Sequence, residues 1–241
     1  MADNFESVYG TDIFTEPEPD PDTLANLGTL APLAGIWESA TGADVHPVAE
    51  GAEENVFVEH YELQPIDAQT NGPQLFYGLR YHTHIVKPGE VETFHDQIGY
   101  WLWEPATNGL VFTLAIPRGQ VLLAGGTAAP DATTFEVNAA VGSETFGILS
   151  NPFLDHAFRT LSYRMVVTIN DDGTWSYAEE AQLVLPDRTE PFRHADSNTL
   201  ARVEGPTPNP LAQGATTTTA TATVDPSLGI GSLLRVRENL P

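Results

Sequence analysis

Between residues 34 and 203 the chain holds about ten short runs rich in β-branched and aromatic residues, with no helical apolar period between them. The runs fall near 34–41, 54–64, 74–86, 93–104, 109–117, 119–125, 133–141, 158–170, 174–185 and 188–203. Stretches rich in turn residues separate them: "PIDAQTNGP", "VKPGEV", "PATNG", "NDDGT" and "LPDR". "NDDG", between "MVVTI" and "TWSYAEE", is the strongest hairpin signal, because Asp-Gly accepts the positive φ angles of a tight turn. Short strands in hairpin succession predict an all-β domain, an up-and-down barrel or a sandwich. A closed barrel of this size has room inside for one small ligand.

The two ends of the chain have a different character. Residues 1–22 contain "TEPEPDPD", in which proline removes amide donors and acids repel one another, so a flexible, extended arm is expected. "DTLANLGTLAPLAG" follows and predicts one short helix capped by Asp22 or Thr23. Residues 205–241 form a Thr/Pro-rich tail of low complexity. Its last piece, "SLGIGSLLRVRENLP", is apolar enough to pack on the domain or on a second subunit of a homodimer. This leaves 23–204 as the folded domain.

Composition narrows the function. The net charge of −23 repels phosphate backbones and argues against a nucleic-acid partner. No apolar run approaches the roughly 20 residues of a membrane span, and the first residues lack the pattern of a secretory signal. A soluble, cytoplasmic protein is expected. The chain has no cysteine, which removes disulfides, thiolate ligands and cysteine nucleophiles.

Side chains alternate across a strand, so each run can be read as two faces. In "LFYGLRYHTHI", Phe76, Arg80, His82 and His84 share one face, while Leu75, Tyr77, Leu79, Tyr81 and Ile85 share the other. In "LSYRMVVTI" the apolar face is Leu161, Tyr163, Met165, Val167 and Ile169. His82 and His84 are spaced to reach one metal ion, as in cupin barrels, but the glycine and glutamate spacing of the cupin motif is absent. No G-x-S-x-G elbow marks a hydrolase.

Three stretches, in order, resemble the nitrobindin family of haem-binding, fatty-acid-binding-like β-barrels. "LAPLAGIWESATG" is similar to the family's opening, with Gly35, Trp37 and Gly42 in place. "FHDQIGYWLW" is similar to its His-x-x-x-Gly-Tyr segment, through His95, Gly99 and Tyr100. "FRHADSNTLARV" is similar to the closing strand, through His194, Leu200 and Arg202. The similarity departs at the glycine-rich run, where Ser39, Ala40 and Thr41 precede Gly42 and "ADVHP" follows.

The resemblance implies a ten-stranded antiparallel up-and-down barrel, lipocalin- or calycin-like, holding one haem b. It makes His194 the proximal iron ligand and His95 the distal cavity histidine. Phe192 would pack on the macrocycle, Arg118 would meet a propionate, and Asp196 or a carbonyl would hold the His194 ring. Met165 is expected to be poorly placed as a ligand. Trp37 is expected beneath the Arg202 guanidinium at the barrel end, a contact that helps to close it. The activity implied is binding of nitric oxide or isomerisation of peroxynitrite to nitrate. A non-haem carrier of a fatty-acid-like ligand, with Arg118 on the carboxylate, is the alternative.

Overall fold

The computed structural model describes residues 5–186 and 188–213. Twelve strands run β1 (Gly35–Val48), β2 (Gly51–Pro65), β3 (Gln69–Asn71), β4 (Gln74–Val86), β5 (Thr93–Glu104), β6 (Gly109–Ile116), β7 (Gln120–Thr127), β8 (Thr134–Ala140), β9 (Ile148–Ser150), β10 (Arg159–Ile169), β11 (Trp175–Val184) and β12 (Phe192–Glu204). Apart from the short β3 and β9, neighbours in space are neighbours in sequence, and every pairing is antiparallel. β1 pairs with β12, and β2 with β4, so ten strands close on themselves. The up-and-down barrel expected from sequence is the observed fold.

One end of the barrel is solid. The helix α2 (Thr23–Asn26) starts at Asp22, whose side chain accepts from the Ala25 amide. A 3-10 turn over Gly28–Leu33 continues it and drives Leu27, Leu30 and Leu33 into the core without exposed surface. Thr29 Oγ1 donates to the Ala132 carbonyl and Thr23 Oγ1 to that of Ile66, which fastens the plug to two loops at this end. Gly28 has φ +55°, and a Cβ there would lie 2.4 Å from the Trp103 ring, so only glycine serves. Behind the plug the interior is aromatic: Trp37 meets Trp175 edge-on at 6.2 Å, and Trp101 lies 4.4 Å from Phe112.

The expected contact at this end is present. The Arg202 guanidinium lies 4.5 Å from the Trp37 ring centroid and donates to the Pro32 carbonyl, while the Trp37 indole donates to Leu33.

The other end is built differently from the expectation. β1 does not stop near residue 41 but runs to Val48 through a bulge between Ser39 and Gly42. The Phe57 ring occupies the place of a Cβ on Gly42, 2.1 Å from it, so the bulge requires glycine there. β7 and β8 share a single register pair, Gly125 with Asn138. β9 fills the widening seam by pairing with the start of β7, and the helix α3 (Pro152–Ala157) follows, capped by Asn151. Neither β9 nor α3 was read from the sequence.

Residues 5–22 lie against the barrel where an extended arm was expected. They include a helix, α1 (Phe5–Tyr9), whose Tyr9 hydroxyl donates to Glu104. The Asp20 amide donates to the Tyr77 hydroxyl, and Thr70 Oγ1 donates to Glu16. The tail from residue 214, including its apolar last piece, lies outside the described residues. Among the described residues, no helix is long and apolar enough to cross a membrane.

Candidate functional site

Above the aromatic layer the barrel is hollow. The chamber measures about 550 Å³, within the size range of small-molecule sites. Phe57, Ile85, Phe94, Leu114, Met165 and Leu183 supply apolar wall, and Phe153, Leu154 and Phe158, from α3 and its flank, stand at the mouth. Met165 is also on this wall, with its sulfur 3.6 Å from the Tyr163 hydroxyl.

The two histidines that the family resemblance singles out both face the chamber, His95 from β5 and His194 from β12. His194 Nε2 lies 3.1 Å from Asp44 Oδ1 and 3.4 Å from Asp196 Oδ2. Asp196 was foreseen as a partner, whereas Asp44 was not. Asp44 also accepts from His46 Nδ1. Burial works against its charge, but the hydrogen bonds from His194 and His46 prevail and hold it below the ordinary carboxylate range. With an ionised acceptor opposite, Nε2 is the nitrogen that carries the proton. Asp44, His194 and Asp196 present ligand atoms within 4.8 Å of one another.

His95 is held differently. Its Nε2 sits 3.2 Å from Gln97 Oε1, and Gln97 donates to the Tyr81 hydroxyl, which donates to the Thr113 carbonyl. Burial lowers its pKa against the opposing effect of Gln97, and the nearby Arg118 pushes it down further. The imidazole is thus kept neutral.

Two more acids face inward. Glu59 is buried and accepts from Thr83, Tyr177 and Asn198, and burial raises its pKa in spite of these three bonds. Glu179 accepts from Tyr163, and burial raises its pKa to about 7. Asp196 is raised as well, by burial first and then by Glu179 and Asp44. Tyr61 and Tyr177 are buried in the barrel, and alternation places Glu59 and Glu179, two residues away in each strand, on the same inner face.

The remaining candidates lie elsewhere or at the rim. Arg118, in the β6–β7 turn, lines the mouth with its guanidinium donating to the Phe94 carbonyl. Trp37 is in the solid end. Phe192 lies beneath the Arg188 guanidinium, 5.1 Å from it, and is not among the chamber-lining residues. His82 pairs with Asp96, and His84 Nε2 sits 2.9 Å from Thr93 Oγ1, on the outer face that the alternation assigns to them.

A family profile described as the THAP4-like, heme-binding beta-barrel domain matches residues 26–202. The chain belongs to this family, the nitrobindin family. The nitrobindin-type barrel is also seen by shape: the crystal structure of Rv2717c from M. tuberculosis superposes with a TM-score of 0.52 and 18% sequence identity. The match covers 77% of this chain and 99% of that one, and at this identity it speaks for the fold. No curated protein sequence matches this nitrobindin-family chain.

Proposed function

We propose that the barrel holds one haem b, with His194 as the protein ligand of iron and with the side facing His95 left open to nitric oxide. The observation that supports this most is an imidazole on the inner wall of a chamber of about 550 Å³, in a domain of a haem-binding family. The donor set suits the group. With cysteine absent, imidazole is the natural protein ligand, and a ligating histidine gives its other N–H to an acceptor such as a carboxylate.

Bound haem would supply an iron coordination site for nitric oxide and, in its ferric form, a centre able to rearrange peroxynitrite to nitrate. The chain's own residues do the rest. Asp44 accepts the Nε2 proton of His194, which fixes the tautomer and the ring plane and leaves the other nitrogen for the metal. Phe57, Ile85 and Leu114 exclude water from the chamber. His95, held by Gln97, presents a neutral imidazole that can accept a proton beside a bound ligand. Arg118 at the mouth is the cation available to a propionate.

Reconstitution of the full chain with hemin tests the proposal. A Soret band is expected that survives in His95→Ala and disappears in His194→Ala. No Soret band in the parent protein, or an unchanged one in His194→Ala, overturns it.

A further inference from the structure

We infer a metal site on the outside of the barrel: one zinc ion held between His60 of β2 and His84 of β4, in a groove of the outer wall. The site is separate from the chamber and needs no haem.

Strand register carries the inference. β1, β2, β4 and β5 are consecutive around the barrel. On them Glu38 stands opposite His60, His60 opposite His84, and His84 opposite Asp96. Their chain neighbours Trp37, Tyr61, Thr83 and Gln97 are buried, so this row faces outward. Residues directly opposite one another on antiparallel strands have Cβ atoms about 4.5–5.5 Å apart. Two imidazoles at that spacing can reach one ion through bonds of about 2.0–2.1 Å. His82, two residues from His84 along β4, is set further off, by about 6.8 Å of strand. It is also paired with Asp96 at 3.0 Å.

The pair sits in a concavity. Beside the β1 bulge at Ser39–Gly42, His60 and His84 line one groove with Glu38, Val58 and Val86. Each ring is already steered. His60 Nδ1 lies 3.2 Å from Glu38 Oε1, which leaves Nε2 for the ion. His84 Nε2 lies 2.9 Å from Thr93 Oγ1, which leaves Nδ1. A carboxylate on the far nitrogen of a ligating histidine fixes its tautomer and raises its basicity. Two imidazoles with a carboxylate beside them, in a chain without cysteine, form a donor set that suits zinc. Glu38 acts here as a positioning residue, and solvent completes the coordination.

Calorimetric titration of the full chain with Zn²⁺ tests the site. The chamber trio Asp44, His194 and Asp196 offers the ion a rival position, so the titration is made in a His194→Ala background. One ion per chain is expected to bind there. Adding His60→Ala or His84→Ala should weaken zinc by roughly tenfold or more, Glu38→Gln severalfold, and His82→Ala by less than about twofold. Proton NMR gives a second readout, because the His60 and His84 ring signals should move as zinc is added to the folded protein. Absence of zinc binding in the His194→Ala background overturns the inference. So does binding that survives both His60→Ala and His84→Ala, or ring signals of these two residues that zinc leaves in place. A loss in His82→Ala as large as in His60→Ala also overturns it, since the ion would then belong to the two histidines of β4.

Discussion

His194 Nε2 lies 3.1 Å from Oδ1 of Asp44, a residue 150 positions earlier in the chain. The contact joins the last strand to the first across the β1–β12 closure, and Asp44 pairs in register with Asp196, two residues beyond His194. It ties the closing of the barrel to the orientation of the chamber imidazole. Asp44→Asn keeps the shape but removes the charge that both His46 and His194 address. A loss of about 1–3 kcal/mol is expected at neutral pH, measured by urea unfolding. Because Asp44 has a depressed pKa, its contribution is present above the unfolded carboxyl value and fades as pH falls through the folded one. The difference between parent and Asp44→Asn should therefore shrink in acid. A difference that stays constant down to strongly acidic pH would refute this account.

Glu179 has the opposite sign. Its pKa rises from 4.5 to about 7 in the folded protein, so between those values the folded state binds more protons than the unfolded state. This group's contribution to stability falls as pH climbs through that window and levels off above it. Glu179→Gln mimics the protonated form. Its melting temperature relative to the parent is expected to improve steadily from pH 4.5 to 7 and then to plateau. A relative melting temperature that is flat across the window would mean that the carboxyl is not held in its protonated state.

Arg202 over Trp37 is a lid on the solid end of the barrel. Arg202→Ala loses a cation–π contact of about 0.5–1 kcal/mol together with the hydrogen bond to Pro32. A total cost of about 1.5 kcal/mol by chemical denaturation follows. Arg202→Lys should restore only part of it, because an ammonium cannot lie flat on the indole while holding the carbonyl. Full restoration by lysine would show that charge alone matters there.

Gly99, one of the residues that carried the family resemblance, has a packing reason. A Cβ there would lie 1.9 Å from the Thr113 carbonyl oxygen, a backbone atom on the next strand. Gly99→Ala must push β5 and β6 apart, at roughly 1–3 kcal/mol or more. Gly205→Ala, with nothing within 4 Å, is expected to stay within ~0.5 kcal/mol. Similar stabilities for the two variants would remove the clash as an explanation.

Strand alternation made most of the barrel legible from the chain alone. In β4 the inward Tyr77, Leu79, Tyr81 and Ile85 and the outward Arg80, His82 and His84 stand as their spacing implies. His95 and His194 came from the family resemblance and not from alternation, since β5 carries an irregularity beside His95, where Phe94 has no partner opposite Ile85 and Val86. Asp44 could not be found from alternation either. It follows the Ser39–Gly42 bulge, which adds one residue to β1 only and resets the inside–outside phase. β9 and α3 escaped for another reason: three and six residues are too few to establish a period, and they owe their form to the gap that β8 leaves beside β7. The α1 region reads as a solvated arm because its contacts, such as Tyr9 with Glu104, are long-range and leave no local pattern.

His95 offers the most direct physical check on the chamber. Desolvation disfavours its charged form, Arg118 adds to that, and Gln97 alone among its close partners works through a hydrogen bond that favours protonation. The imidazole should titrate below the free-histidine value of about 6.5, followed by NMR of the ring protons. Gln97→Leu removes the favourable bond and should depress the midpoint further, while Arg118→Gln should raise it part of the way back. Since the folded pKa lies below the unfolded one, protonation of this ring favours unfolding, and stability should fall as pH drops from the unfolded value toward the folded one. His95→Gln removes that loss. A midpoint at or above the free value, or a Gln97→Leu shift in the upward direction, would show that the ring is open to bulk water and that the chamber is not the dry site described.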